Sequence, residues 1–375
     1  LITSVKLPAS VTRIGDRAFK DSGLVSIVFP PELTYMGGQA FAWTRLKTVD
    51  IPDSTYIGGS AFEGCYDLVS VTIRSARGSV KSAAFKDCFR LSEVVLPNNL
   101  SWIGTRAFSG CLALKELTLP GSVSLVDSEA FLNSGLRKVK MLGGSLIGTY
   151  AFAGCVELSE FEFPSHLSWV GDHAFEGCPL KSIEFRSFSL IIGSSAFNTY
   201  SGPDPRKNPL KRIVFHGEPP SVSKDSFGPS QNPDAVVYRA YGQSGFGKRW
   251  HGFKTDVIKR ELRVEAVGGK VLREYSTYTF KPTKVGSAGR VAKFRIWNSG
   301  TYRFELNEVR VFTEGRKSFY AAKVPGKMLE PGEGILLKVR FKPRMAGDIY
   351  GEMEVAYDIG MKTARTIRLR GMGRK

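Results

Sequence analysis

The sequence predicts a mainly β chain: a solenoid of short coils stacked on a parallel sheet, followed by an antiparallel β-sandwich. Three observations carry this reading. An Ala-Phe dipeptide recurs nine times, at Phe19, Phe41, Phe62, Phe85, Phe108, Phe131, Phe152, Phe175 and Phe197, with gaps of 21 to 23 residues. A short apolar strand pattern repeats with the same period. That period disappears after about residue 260 and alternating strands replace it. A fixed period near 22 marks a repeat too small to bury its own apolar face, which must stack on its neighbours.

Within each coil the strand comes first. Ten segments read L-x-x-V-x-L or close variants, beginning at Ile2, Leu24, Leu46, Leu68, Leu91, Leu114, Leu136, Leu158, Leu180 and Leu210. Apolar first, fourth and sixth positions, as in Leu46, Val49 and Ile51, give a strand with one inward side. Pro8, Pro30, Pro52, Pro97, Pro120 and Pro164 lack a donor, so they end the ladder and start a turn. Four residues before the Phe, seven coils place Gly, which predicts a special backbone conformation or a close approach. Lys81 and Asp127 break that rule and predict local distortion. The Phe rings themselves read as core filling, each contributing about 2–3 kcal/mol on burial.

All five cysteines, Cys65, Cys88, Cys111, Cys155 and Cys178, follow a repeated Phe by three residues. An odd number at one phase predicts a ladder of buried free thiols, since parallel side chains suit a disulfide dihedral poorly.

These features together resemble the BspA-like leucine-rich repeat family over about residues 1–255. Leu158-Ser-Glu-Phe-Glu-Phe-Pro164 leads through the turn Ser165-His-Leu-Ser-Trp-Val-Gly171 to Ala174-Phe-Glu-Gly-Cys178. The stretch Val236-Val-Tyr238 to Trp250-His-Gly-Phe253 looks like the cap such arrays need over their last coil. The expected division is solenoid at 1–228, cap and linker at 229–259, and sandwich at 260–375. In a repeat of this kind the third and fifth strand positions face outward onto a concave surface. They supply the candidate binding residues Glu93, Glu116, Lys138, Lys140, Glu160, Glu162, Glu184 and Arg212, among small hydroxyl side chains and with no aromatic. Single-stranded nucleic acid needs stacking rings and a basic track, so protein or glycan fits this face better.

Residues 260–375 contain alternating runs such as Ile335 to Phe341, Val291 to Trp297 and Ala364 to Arg370, which read as a sandwich. Phe294-Arg-Ile-Trp-Asn-Ser-Gly300, Leu329-Glu-Pro-Gly-Glu333, Val339-Arg-Phe-Lys-Pro343 and Leu369-Arg-Gly-Met-Gly373 together resemble the Ig-like ASH (abnormal-spindle and hydin) family, whose members are non-catalytic modules. Of the net charge of +18, residues 261–375 carry 24 Lys+Arg against 12 Asp+Glu, or +12, leaving +6 for the first 260. If its strands share one sheet, Lys338, Arg340, Lys342, Arg368 and Arg370, with Lys293 and Arg295, form a basic patch for an acidic polymer.

Matches to catalytic motifs in the sequence are weak. Gly242-Gln-Ser-Gly-Phe-Gly-Lys248 fits G-x-x-x-x-G-K, but Arg249 follows where Ser or Thr should hold magnesium. His166, His173, His216 and His251 show no nucleophile or metal spacing. No cofactor, no metal and no enzyme activity are expected. Asn99-Leu-Ser101 matches the N-glycosylation triplet, and the insertion Thr199 to Pro209 is a candidate recognition loop. No apolar run approaches the roughly 20 residues of a membrane span. The chain starts without Met inside a strand, so a signal peptide is expected to be missing from the sequence. The BspA-like resemblance implies a secreted or cell-surface bacterial protein, non-catalytic, that adheres to a protein or glycan. The rival reading is an intracellular scaffold or anionic-polymer binder using the basic sandwich; salt-sensitive binding to DNA or heparin separates the two.

Overall fold

The computed structural model describes residues 2–375 except 54, 75–78, 200–206, 224, 229–231, 241–242, 269, 274, 314–316 and 359–361. It divides the chain into two compact units, Leu1–Asp256 and Val257–Lys375. The described residues form strands and turns with no α-helix.

The coils of the first unit join through three ladders, the first broken into several short sheets and the second into two. The first holds the predicted strands, for example Thr48–Ile51 and Ser70–Ile73, paired parallel as Thr48↔Ser70 through Ile51↔Ile73. Val49, Ile51, Val71 and Ile73 point inward while their neighbours face out. An eleventh strand, Val236–Arg239, extends the ladder beyond the ten read from sequence. The turn expected after the proline forms, as in Leu33 N→Pro30 O and Val123 N→Pro120 O at 3.1 Å, and it leads into a second ladder. The segment ends in a two-residue strand, and seven such strands from Ser79–Val80 to Ser221–Val222 form one parallel sheet. Parallel stacking leaves those peptide groups facing the next coil, where pairing satisfies them.

The third ladder runs through the Ala-Phe dipeptides. The Phe amide donates to the Ala carbonyl of the next coil at 2.7–2.9 Å, from Phe19→Ala40 to Phe175→Ala196. The residue two before each Phe sits in the left-handed region, from Arg17 (φ 56) to Ser195 (φ 50). The residue two after does so from Asp21 to Gly177, which explains why Gly, Asp and Asn dominate there. The rings stack as one column: eight successive pairs from Phe19 to Phe197 have centroids 5.0–5.4 Å apart and planes within 1–10°. Phe41 to Phe197 are fully buried. Beyond them Phe227, Phe246, Trp250 and Phe253 close the core, with Trp250 edge-on to Phe215 at 5.2 Å.

Close approach, not conformation, explains the repeated glycine. A Cβ on Gly58 would lie 2.5 Å from the Gly37 carbonyl carbon, and one on Gly171 would lie 2.6 Å from Thr149 N. Gly15, in the outermost coil, has nothing within 4 Å. The two coils that break the glycine rule differ: at Lys81 the second ladder is interrupted, Ser79–Val80 pairing with Trp102–Ile103 but not with Tyr56–Ile57, whereas at Asp127 it stays in register; the ring column runs through both.

The second unit packs two sheets around one core. One sheet has the order Lys270–Leu272, Leu262–Ala266, Arg290–Asn298, Gly334–Phe341, Phe319–Ala321. The other has Thr277–Thr279, Lys362–Arg374, Gly347–Asp358, Phe304–Thr313, Lys327–Leu329. Long pairs are antiparallel, but Thr277–Thr279 and Thr283–Lys284 run parallel to the last strand. Phe294, Val339 and Phe341 meet Leu306, Met353 and Leu369 in the core. Two sequence landmarks have local causes. Asn298 is buried and donates Nδ2 to the carbonyls of Tyr302 (2.8 Å) and Leu329 (2.9 Å), fixing the turn at Gly300. Gly371 lies under the Phe341 ring, where a Cβ would come within 2.4 Å.

Candidate binding surface

The first ladder presents the predicted charged positions, exposed or half-buried, but joins many of them to each other. Lys138 pairs across strands with Glu160, and Lys140 with Glu162, each at 3.3 Å. Glu184 accepts from His216 Nε2 at 3.1 Å and Arg186 at 3.3 Å. Arg212 lies over the Tyr238 ring at 4.3 Å. Glu116 stands opposite Lys138, and Glu93 opposite Ser70. Opposite charges at facing positions support the sheet itself. The most exposed apolar side chains on this face are Val28 and Val95, at 81% and 56%.

The second ladder carries an outward stripe that the sequence reading missed. Its first residue points outward or is half-buried in most coils, giving Tyr35 and Tyr56 in one sheet and Trp102, Leu125, Leu146, Trp169 and Ile191 in register in the next, while Ser79 between them is buried. Leu146, Trp169 and Ile191 are 39–44% exposed. Tyr35 and Tyr56 stack at 5.3 Å with Arg13 over Tyr35, while Lys81 reaches both Tyr56 and Trp102. The signal was present: these residues stand two before the repeated glycine, as Tyr35 does before Gly37 and Trp169 before Gly171. A third ridge, on the turn after the Phe, sets Trp43 edge-on to Tyr66 at 5.4 Å, Tyr66 stacked on Phe89 at 5.1 Å, and Leu112 one coil on. Single exposed apolar residues are ordinary; rows of them at fixed register are not.

The thiols form a buried ladder. Cys65, Cys88, Cys111, Cys155 and Cys178 are free, and each Sγ donates to a Phe carbonyl at 3.1–3.2 Å. Thr44 and Ser134 occupy the same column and reach Cys65 and Cys155 at 3.3 and 3.2 Å. Burial pushes the Cys65 thiol up to about 11, and pushes Cys88 and Cys111 up as well. A thiolate is the reactive form, so these groups are suited to packing rather than nucleophilic attack.

The predicted basic patch of the second unit is divided by the topology. Lys338, Arg340 and Lys293 lie on the outer face of one sheet, whereas Arg368 and Arg370 lie on the outer face of the other. The strands that look alike in sequence belong to different layers, so the five residues do not make one surface. Arg370 is bound to Asp348 at 2.8 Å, and Arg368 stands opposite Glu352.

Gly242 of the G-x-x-x-x-G-K match lies outside the described residues, and Arg249–Trp250 after it is a strand rather than a helix start. Most of the insertion at 199–209 also lies outside the described residues. Among the described residues no three His, Cys, Asp or Glu side chains group as metal ligands. No helix among them is long and apolar enough to cross a membrane.

Six copies of the BspA type leucine-rich repeat region match the chain, over residues 1–79, 39–146 and 78–203. Solved structures with similarity include a leucine-rich repeat protein from Bacteroides ovatus, 19% identical, covering 69% of this chain and 84% of that one, TM-score 0.40. A leucine-rich cell surface protein from Faecalibacterium prausnitzii is 23% identical, covering 68% and 91%, TM-score 0.29. An ASH/PapD-like domain of human CEP192 is 18% identical, covering 30% and 85%, TM-score 0.23. No protein with a curated description matches. Repeats that reach over more than half of the sequence settle its family: the chain belongs to the BspA type leucine-rich repeat family.

Proposed function

We propose that the chain is a non-catalytic binding protein, secreted or displayed on a bacterial surface, that adheres to a protein or glycan through the outer faces of its solenoid. The observation that carries this reading is the aromatic and aliphatic stripe of the second ladder. It keeps Leu146, Trp169 and Ile191 exposed, with half-buried Trp102 at the same register position, while the Phe column fills the interior. Tryptophan and tyrosine are the residues that anchor protein interfaces, and a parallel ladder holds them on rigid backbone. The charged positions of the first ladder, Glu93, Glu116, Lys138, Lys140, Glu160, Glu162, Glu184 and Arg212, would form a polar surround that selects among partners. The ASH-type reading of residues 260–375 rests on the four sequence landmarks and makes that unit a second module.

The test is binding of the purified chain to a panel of extracellular-matrix proteins and host cells. The expected result is saturable binding to at least one, weakened about tenfold or more by Trp102→Ala with Trp169→Ala. Undiminished binding by that variant, or no saturable binding across the panel, contradicts the reading.

A further inference from the structure

The two outer faces of the second unit treat charge differently. On the sheet containing Gly347–Asp358, cations meet acids: Arg310 faces Glu354, Arg368 faces Glu352, and Arg370 binds Asp348. On the sheet containing Gly334–Phe341, Lys293 stands directly opposite Lys338, and Arg340 faces Val291 on one side and Tyr320 on the other. Like charges in facing positions cost stability, and the fold gains nothing from them. The acids of this sheet stand on or beside the neighbouring strand Leu262–Ala266, where Glu265 faces Arg295 and Glu261 pairs with Arg263. Among the described residues Lys293, Lys338, Arg340, Lys342 and Arg344 have no carboxylate within ion-pair distance.

Four of these cations line a groove of about 510 Å³ with Val291, Tyr320 and two alanines. Lys338, Arg340 and Lys342 alternate along one chain direction, which spaces them by roughly 6.7 Å. We propose that this groove binds an acidic glycan chain, whose sulfate or carboxylate groups meet the cations while its sugar C–H faces cover Val291 and the alanines. Bases are poorly served here. Lys317 lies over Tyr320, whose hydroxyl donates to the Lys317 carbonyl, and Arg295 and Arg263 lie over Trp297. Stacking platforms for single-stranded nucleic acid need open ring faces. A recessed row of cations also suits a linear chain better than a flat lipid surface. The proposal concerns the second unit alone, so its failure leaves the solenoid reading untouched.

The experiment measures binding of a heparin decasaccharide to the full chain. Affinity is expected to fall at least about tenfold in Lys338→Glu with Arg340→Glu, and more than about tenfold between about 50 and about 200 mM salt. Arg368→Glu with Arg370→Glu, on the opposite face, changes it less than about twofold. Lys338→Gln separates binding from folding: it removes a like-charge pair, so the thermal midpoint stays or rises while affinity falls. The proposal is overturned by any of four results: no decasaccharide binding at low salt, equal loss from the opposite-face variant, tighter binding of single-stranded DNA of matched charge, or equal binding of phosphatidylserine vesicles.

Discussion

The two units solve the same problem, burying one apolar face of a strand, by opposite means. In the first, every coil is completed by a neighbouring one: its hydrogen bonds cross to that coil, its Phe ring stacks on one 21 to 23 residues away, and its thiol finds a Phe carbonyl 24 to 26 residues back. In the second, long strands close on distant ones, as Arg290–Asn298 does with Gly334–Phe341. A repeat therefore writes its contacts into its own period, while a sandwich hides them in pairing. The difference also decides where function can sit. The solenoid spends its interior on one column of rings, so both units have only outer faces to offer a partner.

The comparison predicts unequal responses to mutation. Phe108→Ala opens a gap in the ring column and is expected to cost about 3–5 kcal/mol, confined to the unfolding of the first unit. Denaturant melts that leave the first unit within 1 kcal/mol of wild type (about the spread of a surface change) contradict it. Next in size is Gly58→Ala, whose Cβ would meet Gly37 and Gly38 backbone at 2.5–2.7 Å, with an expected loss of about 1–3 kcal/mol. Gly15→Ala, at the same repeat position with open space, should be neutral or slightly stabilising. Equal losses from both would restore the conformational explanation.

A pH effect separates the units as well. All five thiols belong to the first unit. Burial holds the protons of Cys65, Cys88, Cys111 and Cys178 in the folded state, so the unfolded chain, with thiols near 8.5, ionises first. Stability from this source is intact below about pH 8.5 and declines as pH rises toward about 11, the Cys65 value. Alkaline melts should thus destabilise the first unit more than the second, and a Cys65→Ala variant should lose part of that slope. The smallest effect is expected at Arg370→Ala: its pair with Asp348 is solvent-exposed, and thermal stability should stay at the wild-type value.

Legibility followed the same division. The strands, the Phe column, the thiol ladder and the outward third and fifth positions could be read because each recurs at a fixed offset. The second ladder could not, since two-residue strands leave no alternation to detect, and so Tyr35, Trp102 and Trp169 went unnoticed as a surface row. The repeated glycine was visible but its cause was not: only stacked coordinates show Gly58 against Gly37 backbone. In the sandwich, Lys338 and Arg368 sit in strands of the same pattern, and nothing in that pattern assigns them to opposite sheets. Pairing over long separations is where local reading ends.

The central claim is that one unbroken column of rings holds the coils together. Alkylation of the five thiols in Phe108→Ala under native conditions tests it most directly, because every thiol lies beside the column. The account predicts faster labelling of all five, from Cys65 to Cys178, as the array opens on both sides of the gap. Labelling that rises only at Cys111, or at none, would show that the coils stand independently and would contradict it.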